Sequence, residues 1–81
     1  MDFIDEWSFN SAFGTYIRKL AKERGIAIGK IETDCLLPPN LFREMQYGGK
    51  RIGLYGASQV CKYLNLSLEE ITDHILKGEN I

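Results

Sequence analysis

Ile28-Gly29-Lys30-Ile31-Glu32-Thr33-Asp34-Cys35, then Leu36-Leu37-Pro38-Pro39, then Asn40-Leu41-Phe42-Arg43-Glu44-Met45-Gln46-Tyr47: the reading of this stretch decides the fold. Ile28, Ile31 and Cys35 recur at helical spacing and share one face. A residue before proline is pushed out of the helical region, so the first helix ends before Pro38 and Leu37 is extended. Proline tolerates a first helical turn, so Pro39 or Asn40 opens the next helix. Leu41, Phe42 and Met45 turn inward there, leaving Asn40, Arg43, Glu44 and Tyr47 outward. Two helices this short cannot bury each other and need a longer partner.

That partner lies upstream. Phe9, Phe13, Tyr16, Ile17 and Leu20 form one apolar stripe, after a start predicted at Ser8 or Asn10, both good N-caps. Gly25 stops the helix, as the residue that enters a left-handed cap at least cost. Downstream, Gly48-Gly49 ends the third helix and Lys50–Tyr55 reads as a linker. Ala57, Val60, Cys61 and Leu64 line a fourth helix that Asn65 terminates. Ser67-Leu68-Glu69-Glu70 is a capping box that opens a fifth helix, which buries Leu68, Ile71 and Ile75 and ends near Lys77-Gly78. The expected domain is all-α over residues 1–81, with an arm at 1–9 and a five-helix core at 10–77. Packed under the first helix, helices two and three make a helix-turn-helix, whose second member can enter a DNA major groove.

The 81 residues allow one domain with a modest core, and their net charge of −1 is unusual for a DNA binder. The distribution is informative. Up to Ile17 only Asp2, Asp5 and Glu6 are charged. Between Arg18 and Arg51 lie Arg18, Lys19, Lys22, Arg24, Lys30, Arg43, Lys50 and Arg51, against Glu23, Glu32, Asp34 and Glu44. From Ile52 onward acids again outnumber bases. The positive excess therefore coincides with the two short helices. No apolar run approaches a membrane span and no signal peptide opens the chain, so a cytoplasmic location is expected. Cys35 and Cys61 fall on apolar helix faces and read as buried thiols.

With five helices placed, Phe13 to Ile71 resembles the lambda-repressor-like (Cro/repressor-type) helix-turn-helix family. Phe13-Gly14-Thr15-Tyr16-Ile17-Arg18-Lys19-Leu20, with Glu23-Arg24-Gly25-Ile26, is similar to its opening. Val60 to Ile71 is similar to its closing pattern. The middle departs from it: Glu32 replaces a small Ala, Leu36 a turn Gly, and Ile28 a polar residue. Ala21 and Gln46 replace an Arg–Glu pair.

The resemblance implies a five-helix repressor-like domain that binds double-stranded DNA, with a recognition helix at about 39–47. Asn40, Arg43, Glu44 and Tyr47 would meet bases, since Arg can hold guanine bidentately and Asn adenine. Lys30, Lys50 and Arg51 are candidate phosphate contacts. The alternative is a helix-turn-helix fold that binds protein, as a modulator or antagonist of another regulator; the acidic total, Glu32, Glu44, Ile28 and the aromatic N-terminal arm favour it. Phe3, Ile4 and Trp7 form an aromatic arm that either folds back on its own core, the preferred reading, or makes a homodimer or partner surface. His74 has no nucleophile, acid or ligand pattern around it. The chain reads as non-enzymatic, without cofactor, metal, membrane partner or small-molecule substrate.

Overall fold

In the computed structural model, which describes residues 3–77, five helices follow one another without a strand: α1 (Glu6–Glu23), α2 (Ile28–Asp34), α3 (Leu41–Gln46), α4 (Leu54–Leu64) and α5 (Leu68–Leu76). The long α1 is the hub. It packs most extensively on α3 and also touches α2 and α5, while α4 and α5 lie against each other. Phe13, Ile17, Ile31, Phe42, Met45 and Val60 are the largest wholly buried side chains, so every helix but α5 puts a large group at the centre. Ile71 and Ile75 close the core from α5, where Leu68 is only half-buried. Tyr16 meets the His74 ring edge-on at 6.0 Å. No helix of the described residues is long and apolar enough to cross a membrane.

Three expected boundaries move. α1 starts at Glu6, not after Ser8 or Asn10, because the Asp5 carboxylate accepts from the Ser8 amide at 2.8 Å and makes the N-cap. The segment 6–9 therefore belongs to α1 and not to an arm. Asn10 is buried instead: its Nδ2 donates to the Glu6 carbonyl, and its Oδ1 accepts the Ile52 amide, each at 2.9 Å. α3 starts at Leu41 and not at Pro39 or Asn40, since Asn40 is left-handed at φ 63°. α4 takes in Leu54 and Tyr55, which shortens the linker. In the capping box Ser67 Oγ accepts the Glu70 amide at 3.2 Å, whereas the Glu70 carboxylate does not bond back. α5 ends at Leu76 with Lys77 as its cap; Gly78 lies outside the described residues.

The first four helices end in the same way. After each, one residue is left-handed and the next amide reaches back to a carbonyl five residues earlier: Ile26 to Ala21, Leu37 to Glu32, Gly49 to Glu44, Leu66 to Cys61. The left-handed residues are Gly25, Leu36, Gly48 and Asn65. Glycine and asparagine enter this region readily, whereas for an ordinary L-residue it costs roughly 1–2 kcal/mol. Leu36, at φ 60°, is the exception. Its side chain recovers nothing from burial, being 90% exposed.

Candidate nucleic-acid interface

α3 is six residues long and too short to hold itself. Leu41, Phe42 and Met45 anchor it on α1. Its N-terminus is held by a residue of α2. The buried Glu32 carboxylate accepts the Asn40 amide at 3.1 Å through Oε1 and the Phe42 amide at 3.0 Å through Oε2. Two orphan donors of α3 are satisfied by one anion, at the end of the helix where an anion is favoured. Glu32 replaces the local cap that Asn40 does not supply, and the Asn40 side chain is left unengaged. Nothing in the local sequence signals this bond, although the resemblance marks position 32 as a departure.

The outward face of α3 follows from that anchoring. Asn40, Arg43 and Tyr47 are exposed, Tyr47 at 77%, while Glu44 is half-buried and ion-paired to Lys50 at 3.2 Å. The four base-contact candidates thus lie along one short helix and its caps, with Glu44 turned partly to a neighbouring cation.

All three phosphate candidates have carboxylate partners. Lys30 Nζ is 3.0 Å from Asp34. Lys50 is held by Glu44. Arg51 donates to Glu6 at 2.7 Å and stacks on Trp7, 5.1 Å from the ring centroid. Exposed ion pairs are worth about 0–1 kcal/mol, so phosphate can displace them, but each lowers the field the face projects. Asp34 also accepts the Tyr63 hydroxyl at 2.6 Å, tying α2 to α4. That hydroxyl, and next Lys30, hold the Asp34 carboxyl below the usual carboxylate range; Tyr63 and Lys30 are both raised in return, chiefly by their bonds to Asp34.

Cations without an acidic partner lie elsewhere. Thr15, Arg18, Lys19, Lys22 and Gln46 line a shallow concavity between α1 and the end of α3. Arg18 donates to the neutral Gln46 side chain. Among the described residues neither Lys19 nor Lys22 forms an ion pair. Arg24 donates to the Leu64 carbonyl at 2.6 Å and so closes the C-terminus of α4. Ala21 is buried, and Gln46, where the resemblance implied a paired Glu, accepts from Arg18 instead. The sequence marks Arg18, Lys19 and Lys22 only as part of the basic excess between Arg18 and Arg51.

The aromatic arm does not fold across the core. Phe3 is 80% exposed, Ile4 is exposed, and Trp7 sits in the first turn of α1 under Arg51. Cys35 and Cys61 are free buried thiols; burial raises both, and the Cys35 thiol points to the Gln59 carbonyl at 3.8 Å. No protein-family model matches the chain, and no curated protein or solved structure matches it significantly. A functional reading therefore rests on the residues described above.

Proposed function

We propose that the chain is a sequence-specific DNA-binding regulator of bacterial or phage type, with α2 and α3 as a lambda-repressor-like helix-turn-helix and α3 as the recognition helix. The observation that carries this reading is the division of α3. Three apolar residues fix it to α1, while Asn40, Arg43 and Tyr47 stand exposed with their side chains unengaged. Arg43 and Asn40 are suited to guanine and adenine edges. The unpaired cations of the α1 concavity supply phosphate contacts beside that face, in the order Lys19, Lys22 and then Arg18, which must share its guanidinium with Gln46.

The test is binding to random and selected duplexes over a salt series. Specific binding should weaken as salt rises, with a slope of about −0.9 per phosphate neutralised. Lys19→Ala and Lys22→Ala should each reduce that slope by about 1 on every duplex. Arg43→Ala should instead remove about 1–3 kcal/mol of preference at one base position. Absence of binding at low salt would sink the proposal. A second reading, a protein-binding role, is favoured by the exposed Leu36 and the paired cations around it.

A further inference from the structure

The side of α1 turned from the core has a periodicity of its own. Ser8, Ser11, Thr15, Arg18 and Lys22 recur every three or four residues and share one stripe, with Lys19 beside it. Where α3 ends against that stripe, two shallow depressions meet at Gln46, which lines both. The first, of about 370 Å³, is the concavity of Thr15, Arg18, Lys19 and Lys22. The second, of about 500 Å³, is lined by Trp7 and Tyr47 with Ser8, Ser11 and Met45. Among the described residues no acid lines either one.

The two ends of this track differ in chemistry. Three cations gather at one end, and two rings stand in water at the other. Tyr47 is 77% exposed, and Trp7 is 52% exposed although Arg51 stacks on it. Asp5 and Glu6 lie near the aromatic end but are engaged, Asp5 with Ser8 and Glu6 with Arg51. From Ser8 to Lys22 the helix rises about 21 Å, the length of about six nucleotides of a stacked strand. A duplex can meet the cations, but its bases are stacked inside and offer no face to a ring. An acidic peptide can meet the cations without bringing a ring for every charge. An unpaired strand brings a phosphate and a free aromatic face in each repeat, which suits cations followed by rings. We propose that this track binds a short unpaired nucleic-acid strand, its phosphates on Arg18, Lys19 and Lys22 and its bases stacked on Tyr47 and Trp7. The site shares its cations with the duplex reading but does not require α3 to enter a groove, so the two can fail separately.

Trp7 is the chain's one tryptophan, so its emission reports the stacking. The intact chain is titrated at low salt with oligo-dT, oligo-rU, an abasic strand and a duplex, all of one length, and with poly-glutamate. At least one base-bearing strand should bind and quench Trp7, and comparison of the two separates DNA from RNA. Its affinity should fall with salt at a slope of about −0.7 per phosphate neutralised. The abasic strand offers phosphates alone; it should bind about tenfold more weakly and leave the emission unchanged. Trp7→Leu, confirmed folded by circular dichroism and followed by anisotropy of a labelled strand, should bind that strand about tenfold more weakly and the duplex as before. Failure of both base-bearing strands to bind overturns the proposal. Binding without quenching, or equal quenching by the duplex, overturns the stacking. An abasic strand that binds as tightly does the same, and tighter binding of poly-glutamate makes the track a peptide site. Duplex binding without strand binding removes this inference alone, whereas loss of both also removes the regulator.

Discussion

Glu32 shows how one residue can do a job that its neighbours in sequence would be expected to do. It is 5% exposed and accepts two backbone donors that belong to another helix. Removing it leaves both amides without this partner, the Phe42 amide in a buried site, a loss of about 1–3 kcal/mol. Glu32→Ala should therefore lower the denaturation midpoint markedly. Glu32→Gln keeps one acceptor but turns an amide donor toward the other N–H, and should cost about half as much. Equal midpoints for the parent and Glu32→Ala would show that the bonds contribute nothing. This role was illegible in the sequence because a cap is expected within a few residues of the helix it serves, and Glu32 lies eight before Asn40 and ten before Phe42. Ser67, whose partner is three residues away, was legible for the converse reason.

At the scale of elements, periodicity carried the helices and their inward faces. Leu41, Phe42 and Met45, and Ala57, Val60, Cys61 and Leu64, are all buried where their spacing puts them. What spacing cannot convey is close approach between helices. Gly14 and Gly56 are both helical and look alike in sequence. A Cβ on Gly14 would stand 3.6 Å from Met45 Cε, an ordinary contact, so Gly14→Ala should stabilise by about 0.5–1 kcal/mol through helix propensity. A Cβ on Gly56 would come within 2.9 Å of Ile52 Cγ1 and 3.2 Å of Leu37 Cδ2. Gly56→Ala should consequently lower the melting temperature as Ile52 and Leu37 are pushed off α4. Matching shifts for both would contradict the packing. The α2–α4 link through Asp34 has its own signature. Its carboxyl titrates lower in the folded chain, so its contribution is complete above about pH 4 and fades as pH falls through the depressed value. The raised Tyr63 and Lys30 contribute below their ordinary values and are lost as pH rises above them. Asp34→Asn should flatten both the acid and the alkaline limbs of a stability–pH curve. A curve unchanged at both ends would dissociate the link from folding.

Taken whole, the molecule measures about 35 × 25 × 21 Å. Half-sites on DNA lie about 34–36 Å apart, so under the proposed function one copy would read one half-site and a palindrome would need two. The exposed arm belongs here: its aromatic cluster is legible in the sequence, which favours folding it back on the core, whereas Phe3, Ile4 and Trp7 are all exposed. Three contacts tie the start of α1 to the chain before α4. The Ile52 amide docks on Asn10, and Arg51 is held by Glu6 and Trp7, so the first turns of α1 clamp the Gly-rich stretch that precedes α4. Lys50-Arg51 is the kind of exposed, basic loop that trypsin attacks, yet a protease needs several residues drawn out straight in its cleft. Here they can be drawn out only after α1 lets go, so scission reports a local opening and not mere accessibility. Asn10→Ala, digested briefly under conditions where it remains folded, should be nicked at that pair about tenfold faster than the parent, because loss of one such bond shifts the opening equilibrium by about that factor. Identical digestion of the two would mean that the loop is held by something else.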